Sequence, residues 1–66
     1  MTRAEINAHP SIAPHLRVMR AAIAERERVT CDGRFGREKR ASAERASDAA
    51  VAAYDAAVSA LLESIR

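Results

Sequence analysis

Apolar residues fall along this chain in two runs at helical spacing, separated by a short polar stretch. The pattern predicts two helices lying side by side. The first run is Ile12, Leu16, Met19 and Ile23, at steps of four, three and four. At about 100° per residue these side chains form one narrow stripe. Val18 and Ala22 add a weaker shoulder, while Arg17, Arg20, Glu25, Arg26, Glu27 and Arg28 take much of the remaining circumference. Such a helix has surface for a single neighbour. Its expected span is 11–28, with Ser11 as N-cap and Pro14 in the first turn, where a missing N–H is harmless.

Residues 1–10 read as a lead-in. Thr2 and Glu5 have the spacing of a capping box, so a turn or two of helix should pass through Ile6. Pro10 then disfavours helix at His9.

The second run is the longer one. Val51, Tyr54, Val58, Leu61 and Ile65 alternate steps of three and four, and Ser47 extends the seam. A helix over 37–65 is expected. Ala46, Ala49, Ala50, Ala53, Ala56, Ala57 and Ala60 lie to one side of that seam, and Arg45, Asp48, Asp55, Ser59 and Glu63 gather on the rest. The stripe of the first helix covers only one of the two apolar arcs, so the alanine arc is the expected surface for a partner. Alanine is also the best helix former, which alone would place it there.

Between the helices lies 29–36, Val-Thr-Cys-Asp-Gly-Arg-Phe-Gly. Asp-Gly between β-favouring residues is a strong hairpin signal, but arms of three residues make a poor sheet. A plain helix-to-helix connection is the preferred reading and a small β-hairpin the alternative, with Phe35 folding back over the end of the helix pair.

The expectation is one all-α domain over residues 1–66, an antiparallel helical hairpin with a short N-terminal helical segment. Size sharpens it. A chain this short buries only about 60% of its extended surface, and half of its apolar residues are alanine. Cys31 is the sole cysteine, so no internal disulfide forms and a reducing compartment is the simpler assumption. Dimerisation into a helical bundle, or a tight complex with another protein, would supply the missing burial. No run approaches the roughly 18 apolar residues of a membrane span, and the first residues lack the order of a secretory signal. A cytoplasmic protein with no membrane partner is expected.

Candidate chemistry is sparse. Two helices enclose no pocket for paired acid and base groups, so no catalytic residue and no enzyme is expected. Cys31 has only Arg28 and Arg34 nearby to lower its pKa. His9 and His15 share no ligand spacing with it, and Gly33 and Gly36 form no phosphate loop. Neither metal nor cofactor is expected.

Charge, by contrast, is polarised. From Arg26 to Arg45 there are seven basic residues against four acidic ones; from Ala46 onward Asp48, Asp55 and Glu63 face a single arginine. Arg34, Arg37, Lys39, Arg40 and Arg45 therefore make a basic tip suited to phosphates or an acidic protein surface. Interleaved acids, with Arg34–Glu38 and Arg40–Glu44 at pairing distance, equally suit a solvated tip. The tip has no Asn or Gln for base reading, and its turn is too long for a helix-turn-helix.

The sequence thus favours a small non-enzymatic interaction module with a protein partner, itself or a larger protein, bound through helix faces. Its heavy alanine and arginine usage is of a bacterial or phage kind, where inhibitors and adaptors of this size are typical by analogy. A nucleic-acid accessory protein and a structural subunit of a larger assembly are the alternatives.

Overall fold

A computed structural model describes residues 1–65. Among them the chain forms three helices and no strand: α1 Arg3–Ala8, α2 Ala13–Cys31 and α3 Arg37–Ser64. α2 and α3 pack antiparallel as a hairpin, and α1 folds onto its open end. The molecule is a rod of 47 × 16 × 14 Å.

α1 starts as its capping residues dictate. The Thr2 hydroxyl accepts from the Glu5 backbone N–H at 3.2 Å and donates to the Glu5 carboxylate at 3.2 Å. The start of α2 departs from expectation, because Ser11 does not cap it. Ile12 holds the N-cap position without a side-chain cap bond. The Ser11 N–H donates instead to His9 Nδ1 at 3.1 Å, and Ser11 Oγ lies 2.8 Å from the same nitrogen. The carbonyl of His9 accepts from the N–H groups of both Ile12 and Ala13, so the chain is already coiled before α2 begins.

α2 also runs three residues past the expected end at Arg28. Val29 explains it. The side chain is fully buried, continuing the inner stripe, and burial overrides the β preference of Val-Thr-Cys. No hairpin forms at Asp32-Gly33, since neither glycine takes the positive φ of the tight hairpin turns. The connection is held by Asp32, whose carboxylate accepts the Arg34 N–H at 3.1 Å and whose carbonyl accepts that of Phe35 at 3.5 Å.

The inner face of α3 is rotated from the expected seam towards the alanines. Its buried residues are Ala43, Ser47, Ala50, Tyr54 and Leu61, with Ala57 partly buried between the last two. Val51 lies only at the edge of this face, and Ile65, expected in the core, is 56% exposed just past the end of α3. Small side chains at 43, 47, 50 and 57 let α2 come close. Val58 and Leu62 lie on the other edge of this face, towards the open end. There Ile6, Ile12, Tyr54 and Leu61 form the main cluster, with Leu16 and Met19 against it. The Tyr54 hydroxyl donates to Asn7 Oδ1 and accepts from Arg3 Nη1 at 3.3 Å, tying α1 to α3.

Two substitutions test this account. Ser47 Oγ is buried without a hydrogen-bond partner among the described residues, and an unsatisfied buried hydroxyl costs about 1–3 kcal/mol. Ser47→Ala should therefore raise the unfolding free energy by about 1 kcal/mol in urea titrations followed by circular dichroism. Tyr54→Phe keeps the ring and removes both polar contacts. It should lower stability by about 1 kcal/mol and speed amide exchange in α1 before α2 and α3 loosen.

Candidate functional site

The seven alanines expected to face a partner divide into two groups. Ala50 is buried inside the hairpin and Ala57 is half-buried against the core cluster, so these two belong to the chain's own interior. Ala46, Ala49, Ala53, Ala56 and Ala60 are exposed. With the exposed Ser42 they run 42-46-49-53-56-60, alternating steps of four and three. That is the repeat of the inner row 43-47-50-54-57-61 shifted by one residue, hence turned by about 100°. α3 therefore carries two parallel heptad seams, one occupied by α2 and one bare.

The bare seam spans an arc of about 80° and a length of about 27 Å. Val58 and Leu62, packed against the core cluster, lie on the other flank of the inner row from the bare seam. Because α2 runs antiparallel, the helical wheel sets Val18 on the same side as the bare seam. Val18, the weak shoulder of the first stripe, is 61% exposed. The sequence reading missed both Ser42 and Val18 as members of this surface. Extending the four-three count backwards from Ala46 would have found the first; only the hairpin geometry finds the second.

The basic tip is arranged differently. Arg34, Arg37, Lys39, Arg40 and Arg45 are all exposed, yet they do not share a face. On α3, Arg37 and Arg40 are neighbours about 60° apart, Lys39 stands about 100° from Arg40, and Arg45 about 80° beyond Arg37. The charges ring the helix. Arg34 lies in the loop before α3 and turns back, its Nε 3.7 Å from the Asp32 carboxylate, so the expected Arg34–Glu38 pair does not form. Nor are Arg40 and Glu44 within ion-pair distance; the ion pairs among the described residues are Arg34–Asp32 and Arg28–Glu25.

Arg28 is fully engaged. Its Nη2 and Nε reach the Glu25 carboxylate at 2.7 and 3.0 Å, and its guanidinium sits 5.4 Å from the centre of the Phe35 ring. Phe35 thus closes the turn end beneath a cation. The hydrogen bonds from Arg28, helped by its charge and that of Lys39, hold the Glu25 carboxyl below its ordinary value. Arg28 is raised in turn, by the hydrogen bond and charge of Glu25.

Cys31 is free and exposed at the end of α2. Among the described residues no three His, Cys, Asp or Glu side chains gather as a metal site would require, and no pocket opens. No helix there is long and apolar enough to cross a membrane.

No protein-family model matches the chain. No curated protein and no solved structure matches it either.

The Glu25–Arg28 pair gives a pH dependence with a definite sign. A carboxyl whose folded pKa is depressed adds stability above its unfolded value, near 4.5, and that stability is lost as pH falls through the folded pKa. Carboxyl NMR should show Glu25 titrating below 4.5, and Arg28→Gln should move it back up.

Proposed function

We propose that this chain is a small, non-enzymatic, cytoplasmic interaction protein that lays the bare seam of α3 against a protein partner, either a second copy or a larger protein. An inhibitor or adaptor would work this way, by occupying a surface. The observation that carries the reading is the exposed row from Ser42 to Ala60, which repeats the helix-packing pattern of the inner row. A row of alanines kept for helix propensity alone has no reason to follow a four-three alternation beside a second row that does. Small residues also let a helix backbone approach closely, so the row suits another helix better than it suits nucleic acid.

A nucleic-acid partner would use the basic tip. Charges that ring a helix, with Glu38 and Glu44 among them, present no continuous cationic strip to a phosphate backbone. The protein partner is therefore the preferred reading.

Ala53→Glu puts a charge in the middle of the row. It should abolish partner binding while leaving far-UV circular dichroism of the isolated chain unchanged, whereas Asp48→Lys, on another face of α3, should leave binding intact. Equal binding by wild type and Ala53→Glu would refute the reading. Replacing Arg37, Lys39 and Arg40 together with Gln should weaken binding far less than Ala53→Glu does; a steep loss with this variant and with added salt would favour the nucleic-acid alternative.

A further inference from the structure

We infer that the occupant of the bare seam is the same seam of a second copy, running antiparallel about a two-fold axis near Ala53. The inference rests on the seam's being a docking surface, and it adds the partner, the direction and the register.

The first support is area. The chain exposes 4792 Å². A compact chain of its 7.2 kDa exposes about 4,100 Å². The excess of about 700 Å² is close to the roughly 800 Å² that one protomer contributes to a standard interface. The rod thus exposes more surface than a compact chain of its mass, enough to leave a helix face uncovered.

The second is self-complementarity. Ala46 and Ala60 lie seven residues either side of Ala53, and Ala49 and Ala56 four and three. Turned end for end about Ala53, the row meets itself, with Ala46 of one copy near Ala60 of the other. Closed two-fold pairing requires such a surface.

The third is charge. The start of α3, 37–45, holds four basic residues against two acidic, while 46–65 holds three acidic and no basic. A parallel pair would set like charges together at both ends; an antiparallel pair sets opposite ones together. One contact is specific. Arg45 and Glu63 stand 18 residues apart, five full turns, so they flank the seam on the same edge. About 27 Å separates them within one chain, and neither has an ion-pair partner among the described residues. About an axis at Ala53, Arg45 of one copy falls within a turn of Glu63 of the other, and the pair occurs twice.

Sedimentation equilibrium of the full chain tests this. The wild type should be a dimer at tens of micromolar, at roughly neutral pH and low salt. Arg45→Glu and Glu63→Lys should each weaken association roughly tenfold, and the double variant should restore it. Both positions are exposed, so circular dichroism should be unchanged. In a Cys31→Ser background, Ala46→Cys mixed with Ala60→Cys should cross-link on mild oxidation, and Ala46→Cys alone should not. A wild-type monomer at hundreds of micromolar would overturn the second copy. Cross-linking by Ala46→Cys alone, or no rescue in the double variant, would overturn the antiparallel register. A monomer that still loses a different protein partner through Ala53→Glu would sink this inference and leave the proposed function standing.

Discussion

Tyr54 stands where the three helices meet, and the open end of the rod is organised around it. A helix of six residues has no stability of its own in water, and α1 buries only Ile6. It is held by that side chain and by the Tyr54 hydroxyl, which finds its polar partners in Asn7 and Arg3. A buried tyrosine needs such a partner for its polar tip; here the ring is 5% exposed and the partners come from α1. The dependence runs both ways. Ile6 of α1 joins Leu61 and the fully buried Ile12 in the cluster around the ring. The exposed alanines of α3 lie outside that cluster.

Towards the turn the hairpin closes by a different means. The inner row of α3 offers only Ala43, Ser47 and Ala50 there, so close backbone approach replaces side-chain bulk, and Val29 fills the end from α2. This makes a thin rod. The radius of gyration is 14.3 Å, against about 11 Å for a compact chain of this length. A third layer would give both helices more to bury against, and this thinness is the physical reason to look for one outside the chain.

Much of this was legible in the residues. The stripe Ile12–Leu16–Met19–Ile23, the Thr2–Glu5 cap and the start of α3 at Arg37 follow from spacing and capping chemistry alone. Three features did not. Val29 and its neighbours read as turn or strand because propensity is local, and only the facing helix makes Val29 a core residue. Ser11 looked like a cap, but a histidine two residues back competes for its N–H and hydroxyl. Periodicity alone sets the inner face of α3 too far towards Val51 and Ile65, because the large side chains dominate the pattern. In a close helix pair the small residues mark the contact line, while the larger ones fill its flanks. The exposed part of the candidate surface was legible as an arc of alanines. Its limits were not, since Ala50 and Ala57 are claimed by α2 only once the true inner row is known.

The two seams of α3 differ in a way that decides what each can hold. The inner one carries Tyr54 and Leu61, which fill the space that α1 and α2 enclose. The outer one carries nothing larger than serine, so α2 cannot exchange one for the other without stranding both large side chains in water. That asymmetry fixes the hairpin. It also means the outer seam gains little from apolar area per residue and must rely on length and close approach, with helix axes near the lower end of the 8–10 Å range. A contact so uniform along its length has weak register of its own, because a slide of one heptad sets alanine on alanine again. Charge at the ends supplies what uniform side chains lack. On the antiparallel reading, Arg45 and Glu63, the charged residues that flank the seam, are the device that sets direction and register.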